Sequence, residues 1–144
     1  MKKMPLLTTF MTPFPHSVDV DASFDEASNL MARYNVRHLP VTHDNAVVGV
    51  ITDRDMTSAI NLHSSPASAG SLSVRDLYMS DPYTVSVDEP LDSVLLTMAE
   101  RHIGSAIVTK ADKLVGMFTS VDACRSFGEY LRGQFPQPGG TEVA

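Results

Sequence analysis

The chain of 144 residues has a single cysteine, no tryptophan and no long apolar run, and these absences exclude several classes of protein. Because Cys124 stands alone, neither an intramolecular disulfide nor a zinc site made only of cysteines can form, which predicts a reducing, cytoplasmic location. No stretch approaches the roughly 20 apolar residues that cross a bilayer. Pro5 and Pro13 also interrupt the apolar stretch that a signal peptide would need. We therefore expect no targeting segment and no membrane partner.

Positive charge is also scarce, with 11 Lys and Arg residues against 17 Asp and Glu and a formal net charge of −6. Proteins bind nucleic acid and anionic lipid through basic surfaces, so we expect no nucleic acid partner. The composition, 43% hydrophobic and 19% charged, is typical of a globular protein with a sizeable core. Any anionic ligand must therefore be held by a local site.

The motifs of common enzymes and metal sites are missing. The sequence has no Gly-x-Ser-x-Gly elbow, no Gly-x-x-x-x-Gly-Lys loop and no His-Glu-x-x-His helix. His38 and His43 flank one predicted strand at an odd separation, which points them to opposite faces. Cys124 lies in the predicted last helix, where we expect a buried apolar role rather than a nucleophile. The sequence therefore predicts no metal and no catalysis.

What the chain does contain is an internal repeat. Residues 47–55 align with residues 114–122 at a spacing of 67, and the same spacing relates Val20-Asp21 to Val87-Asp88 and Val41-Thr42 to Val108-Thr109. A repeated unit of this size usually cannot bury its apolar face without a neighbour. We therefore expect two copies that pack against each other.

Both copies show the same order of hydrophobic periodicities. Alternation predicts strands at Ser17–Val20 and Thr84–Val87, and a helical spacing of apolar residues predicts helices that begin near Phe24 and Leu91. Two more strands and a closing helix follow in each copy. The predicted strands span 38–42, 47–52, 105–109 and 114–119, and the closing helices run from Asp53 to about Leu62 and from Ser120 to about Arg132.

The predicted fold class is mixed α/β (α+β), with two β-α-β-β-α repeats packed with pseudo-twofold symmetry. We assign residues 1–62 to the first repeat with an N-terminal lead-in, 63–72 to a linker, 73–132 to the second repeat and 133–144 to a flexible tail. The linker is small and polar, and the tail is rich in proline and glycine.

In each copy a strand that contains glycine leads directly into Thr-x-x-Asp at a helix start. Such a start offers unpaired N–H groups to a phosphate, a carboxylate can accept from ribose hydroxyls, and glycine lets the backbone approach a ligand closely. The same residues can also form an ordinary helix cap, and both interpretations stay open. The residues are Gly49, Thr52, Arg54 and Asp55 in the first copy, and Gly116, Thr119 and Asp122 in the second.

These features resemble a tandem pair of CBS domains, the regulatory modules named after cystathionine beta-synthase. The resemblance covers roughly residues 11–132. It depends on the repeated element order, on the segment Arg-His-Leu-Pro-Val at residues 37–41, and on the two Gly-x-x-Thr-x-x-Asp segments.

The resemblance implies two clefts that bind an adenine nucleotide (AMP, ADP or ATP) as a regulatory ligand, with no required cofactor. It also implies a homodimer formed through helical faces and a regulated protein partner that senses the arrangement of the two copies. The implied ligand contacts are Asp55 and Asp122 on ribose, Thr52 and Thr119 toward phosphate, and the edge strands near Ser17-Val18 and Thr84-Val85 beside adenine.

The two copies differ at positions that matter for this interpretation. Val121 replaces Arg54, and Ile107 replaces Pro40, so we expect the first site to tolerate more phosphate charge. S-adenosylmethionine, NAD and cyclic dinucleotides remain alternative ligands. A structural or dimerisation module with empty clefts, acting through a protein partner, is the second interpretation, and an enzyme is the third.

Overall fold

The computed structural model describes residues 2–62 and 69–136, which form two four-stranded sheets with helices packed against them. This mixed α/β architecture with two repeats confirms the predicted fold class. The first sheet has the order β2 (Val18–Asp19), β3 (His38–His43), β4 (Ala46–Thr52), β5 (Met79–Ser80), and the second has the order β1 (Thr12–Pro13), β8 (Lys113–Thr119), β7 (Ser105–Lys110), β6 (Thr84–Ser86). The helices are α1 (Leu7–Phe10), α2 (Phe24–Tyr34), α3 (Asp53–Leu62), α4 (Leu91–Arg101) and α5 (Ser120–Gln134), with a 3₁₀ turn at Val74–Asp76.

The repeat extends to the backbone conformation of single residues. Asp44 and Asn45 have φ of 51° and 67° in the β3–β4 hairpin, and Ala111 and Asp112 have φ of 52° and 65° in the β7–β8 hairpin. Two residues at positive φ are what a tight hairpin with the right-handed strand twist requires. The other non-glycine residues at positive φ in the described ranges also pair at a spacing of 67: Phe14 with Asp81, and Asn35 with His102.

Two short segments cross from one repeat to the other. Strand β1 pairs antiparallel with β8, with Thr12 opposite Met117, and β5 pairs antiparallel with β4, with Met79 opposite Val50. The segment that precedes each repeat therefore completes the sheet of the other repeat. The division of the chain at 62, 72 and 132 stays a prediction, and residues 63–68 of its linker and 137–144 of its tail lie outside the described ranges.

The crossing segments also carry core side chains. Leu7 of α1 is 1% exposed and packs in the core of the second repeat, while Val74 is fully buried in the core of the first. These two residues are again 67 positions apart. The repeated unit therefore includes a leading arm that lies upstream of the first predicted strand.

Gly49 and Gly116 lie directly beneath these arms. A Cβ atom at Gly49 would overlap the carbonyl oxygen of Met79 and the ring of Tyr78, and one at Gly116 would overlap the side chain of Met11. The close approach expected from these glycines is therefore to a neighbouring segment of the chain, rather than to a ligand.

A third apolar cluster joins the two sheets. Val50 of β4 contacts Met117 of β8 and Ile107 of β7, and all three are buried. Pro40 is buried as well, so the substitution between Pro40 and Ile107 falls in the interior. Within the described residues, no helix has the length and apolar character needed to cross a membrane.

Candidate functional site

The two Thr-x-x-Asp segments lie at corresponding ends of the two sheets. In the first sheet Thr52 ends β4 opposite His38, and β2 begins at Val18 on the other side of β3. In the second sheet Thr119 ends β8 opposite Ser105, and β6 begins at Thr84 on the other side of β7. Because one strand separates the two positions, each helix start lies about 10 Å across the sheet from the edge strand. Strands β2 and β6 start toward the same sheet end as Thr52 and Thr119, but Val18 pairs with Val41 and Thr84 with Ile107, three and two residues further along the sheet.

Both segments form complete helix caps. The Thr52 N–H donates to Asp55 Oδ2 (2.8 Å), and the Asp55 N–H donates to Thr52 Oγ1 (3.2 Å). The Thr119 N–H likewise donates to Asp122 Oδ2 (2.9 Å), and the Asp122 N–H donates to Thr119 Oγ1 (3.3 Å). The cap that the sequence also predicts is therefore present in both repeats. Each cap still leaves lone pairs on its carboxylate.

The carboxylate of Asp122 is buried and surrounded by donors. Asp122 is 3% exposed, and its Oδ1 accepts from Nη1 of Arg125 at 3.1 Å. The hydroxyl of Thr119 donates to Oδ2 at 3.2 Å, and the hydroxyl of Thr12 approaches both oxygens at 3.4 and 3.5 Å. Thr12 belongs to the arm that crosses from the N-terminus, so this site includes a residue from the opposite end of the chain.

The carboxylate of Asp55 has a different environment. Asp55 is half-buried, and within the described residues its carboxylate accepts only from the N–H of Thr52. Ser58 stands where Arg125 stands in the second repeat. A cavity of about 400 Å³ opens beside Asp55. Its lining consists of Asp55, Ser58, Ala59 and Leu62 from α3, together with Leu72, Asp76 and Leu77, so Asp55 is the one predicted contact residue of this repeat that lines it.

The other predicted contact residues differ in what they can offer a ligand. Val18 and Val85 are 2% and 5% exposed in the two hydrophobic cores, so only their main chains can face a ligand. Ser17 and Thr84, which precede or begin these strands, are exposed. Arg54 is exposed and makes no ion pair with any described residue.

His38 lies where the two repeats meet, a position that no motif in the sequence predicted. It is half-buried between the repeats and lies against Gly104. A Cβ atom added at Gly104 would lie 3.2 Å from Nε2 of His38 and 3.8 Å from the hydroxyl oxygen of Ser120. Burial lowers the pKa of His38, the carboxylates of Asp53 and Asp55 oppose this, and Arg37 lowers it further. The segment that carried the family resemblance contained this residue, but only the packing of the two repeats shows what it faces.

Aromatic side chains next to the edge strands were also missed. His16 stacks on Tyr34 with ring centroids 3.5 Å apart. At the equivalent place in the second repeat, the guanidinium of Arg101 lies 5.0 Å from the ring centroid of Tyr83. Both contacts are at positions directly before the predicted adenine-flanking residues, and the different residue types hid the correspondence in the sequence.

The expectation of a buried Cys124 was wrong. Cys124 is exposed on α5, and so are its neighbours Val121 and Phe127, each 62% exposed. Apolar composition predicted burial, but this face of α5 lies away from both cores. Within residues 2–62 and 69–136, no cluster of three His, Cys, Asp or Glu side chains is arranged to hold a metal ion.

Comparison with known proteins gives a family match over each repeat. The family model "CBS domain" matches residues 7–62 and 74–129, two ranges that are themselves 67 residues apart. The solved CBS domain pair of protein MJ0100, in complex with 5′-methylthioadenosine and S-adenosyl-L-methionine, is 25% identical with a TM-score of 0.78 and covers 89% of this chain and 99% of its own. The structure of CBSX2 in complex with AMP is 28% identical with a TM-score of 0.74 and covers 88% and 98% of the two chains.

Curated relatives are similar to the chain over part of their length only. L-aspartate semialdehyde sulfurtransferase of Methanocaldococcus jannaschii is 26% identical over 85% of this chain and 23% of its own length. Inosine-5′-monophosphate dehydrogenase of Korarchaeum cryptofilum is 31% identical over 74% of this chain and 21% of its own. The chain thus spans about a fifth of the length of these relatives.

Proposed function

The chain belongs to the CBS domain family, and from that premise we propose that it is a regulatory module that binds an adenine nucleotide and has no catalytic activity of its own. The observation that carries this proposal is the Asp55 carboxylate, which lines a cavity of about 400 Å³ at the start of α3 and, among the described residues, accepts only from the N–H of Thr52. Two similar CBS pairs hold ligands that contain adenosine, namely AMP in one and 5′-methylthioadenosine with S-adenosyl-L-methionine in the other.

The residues at this helix start each contact a different part of the ligand. Asp55 accepts hydrogen bonds from the ribose hydroxyls, because a carboxylate can accept from two neighbouring donors. Thr52 and the N–H groups at the start of α3 face the phosphate, where the helix dipole favours negative charge. Arg54 adds a charge-assisted hydrogen bond to phosphate oxygens. Ser17 and the main chain of Val18 flank the base at the edge strand.

The second repeat offers the equivalent residues Thr119, Asp122, Thr84 and Val85, without the arginine. AMP, ADP and ATP are the first candidates, because Arg54 provides a cation for phosphate at an otherwise acidic helix start. S-adenosylmethionine, NAD and cyclic dinucleotides share the adenosine or purine nucleoside chemistry and belong in the same comparison.

Binding is converted into a signal through the contact between the repeats. The cluster of Val50, Ile107 and Met117 joins the two sheets, and His38 faces Gly104 across the junction. A ligand favours one arrangement of the repeats by the difference in its affinity for the alternatives. A partner protein that contacts both repeats can then respond to that arrangement.

Thermal unfolding of the full chain against AMP, ADP, ATP, NAD, S-adenosylmethionine and cyclic dinucleotides tests the proposal. A ligand at a hundredfold excess over its Kd should stabilise the protein by about 2.7 kcal/mol. Asp55→Ala should remove this shift, whereas Asp53→Ala is the control because Asp53 is exposed and lies two residues before Asp55. Arg54→Ala should weaken the binding of ATP more than the binding of AMP, since it removes a cation that contacts phosphate. If no ligand shifts the transition, the binding proposal is wrong.

The second candidate is a structural module that dimerises and acts through a protein partner without a nucleotide. The observation in its favour is the exposed apolar face of α5, which carries Phe127 and Tyr130 at 62% and 56% exposure. Dimerisation without any thermal shift from the nucleotides would support this function over the first.

A further inference from the structure

The two clefts differ in how much of each carboxylate remains available to a ligand. A carboxylate has about four lone-pair sites. Asp122 already receives the N–H and hydroxyl of Thr119, the guanidinium of Arg125 and the long contacts from Thr12. Asp55 receives the N–H of Thr52 alone among the described residues. A ribose can therefore reach free lone pairs on Asp55, while on Asp122 it would have to displace existing donors.

Charge adds to this difference. The Arg125 side chain is 58% exposed, but the Asp122 side chain that it pairs with is 5% exposed. A hydrogen bond between two charged groups, one of them buried, stabilises the protein. A ligand that must displace this bond should therefore bind roughly tenfold to a hundredfold more weakly. In the first repeat Ser58 replaces this arginine, and Arg54 is exposed and forms no ion pair with a described residue. An arginine thus covers the carboxylate in the second repeat, whereas the first repeat has no arginine at the equivalent position.

We propose that the native chain binds one nucleotide, at the Asp55 cleft, and that Arg125 closes the Asp122 cleft by occupying its carboxylate. This inference rests on the proposed function and adds its stoichiometry. Thr12 completes the closure and holds the N-terminal arm on the second repeat. Arg125 is therefore a specificity-determining residue that lies three positions after the motif.

Isothermal titration with AMP and with ATP tests the inference on the full chain. The wild type should bind one nucleotide per chain, and Asp55→Asn should abolish that binding. Arg125→Ser, which gives the second repeat the serine of the first, should raise the stoichiometry to two. Ser58→Arg is the reciprocal variant and should weaken binding at the first cleft by about tenfold or more.

Two nucleotides per wild-type chain, or binding that survives Asp55→Asn, would overturn the inference and leave the proposed function intact. Absence of binding in every variant would overturn the proposed function instead. The closed arrangement has its own readout in that case, because Asp122→Asn should lower Tm by about 5 °C more than Asp55→Asn. Equal losses of Tm would show that Asp122 is not held more firmly than Asp55.

Discussion

Single glycines explain how the two arms fit onto the sheets. At position 49 the obstacle to a side chain is the backbone carbonyl of Met79, which is fixed by its pairing with β4. At position 116 the obstacle is the flexible end of the Met11 side chain, which can move aside. A side chain should therefore be tolerated less well at position 49 than at the equivalent position 116.

Gly49→Ala should accordingly destabilise the protein more than Gly116→Ala. We expect a loss of about 2–3 kcal/mol at position 49, as for overpacked interior sites, and about 1 kcal/mol or less at position 116. Urea unfolding of the two variants measures both values. Equal losses would contradict the difference between a backbone and a side-chain obstacle.

His38 predicts how stability depends on pH. Burial lowers its pKa in the folded state below the ordinary value of 6.5, so the unfolded state binds more protons in the pH range below 6.5. The contribution of His38 to the free energy of unfolding is therefore highest above pH 6.5, where the imidazole is neutral, and it decreases as the pH falls. Urea unfolding at pH 7.5 and 5.5 should show that the wild type loses more stability on acidification than His38→Gln. Parallel losses in the two proteins would contradict this assignment.

At the residue scale the sequence predicted the caps, their partners and a difference in charge between the two sites, but not the different hydrogen bonding of the two carboxylates. Thr52 with Asp55 and Thr119 with Asp122 are local pairs, so the motif was sufficient to place them. The contact between Thr12 and Asp122 joins residues 110 positions apart, and no local pattern indicates it. Arg125 lies outside the repeated motif, and its role depends on the burial of Asp122, which only the packing reveals.

Among the elements, the long strands and helices were predictable, and so was the short edge strand β2, whereas β1 and β5 were not. Strands β3, β4, β7 and β8 each have six or seven residues, enough to show a pattern of burial. Strands β1 and β5 have two residues each, too few for any periodicity. Their position follows from the pairing with β8 and β4, so the exchange of arms was invisible in the sequence although the spacing of 67 extends through it.

Removal of a core contact in an arm tests this exchange. Leu7→Ala should cost about 2–5 kcal/mol, because Leu7 is 1% exposed in the second core. Leu6→Ala is the matched control, since Leu6 is 67% exposed and its truncation should change stability by less than about 0.5 kcal/mol. Chemical denaturation of both variants provides the comparison. If the two variants behaved alike, the arm would not be docked on the second repeat.

The surface of the whole molecule predicts self-association through α5. Phe127 and Tyr130 stack with ring centroids 6.4 Å apart, and Phe135 at the end of the helix is 70% exposed. Exposed large apolar side chains grouped on one helix are typical of an interaction site. A second copy of the chain is the partner that we expect, because the family resemblance implies a dimer through the helical faces.

Light scattering should therefore give twice the chain mass of 15.6 kDa. Phe127→Glu places a charge in the centre of the face and should yield the monomer. Phe14→Glu is a suitable control, because Phe14 is 79% exposed but lies in the loop after β1. A monomeric wild type, or a Phe127→Glu protein that remains dimeric, would be inconsistent with this interface.

The exchange of arms has a consequence for the ancestry of the molecule. A unit that begins with its arm and ends with its closing helix would dock that arm on a second copy, so two such chains could exchange arms reciprocally. Duplication within one gene ties such a pair together, with the segment between the copies serving as the tether. Once the two copies are joined in one chain, their sequences can diverge, and one binding site can lose its ligand while the other keeps it.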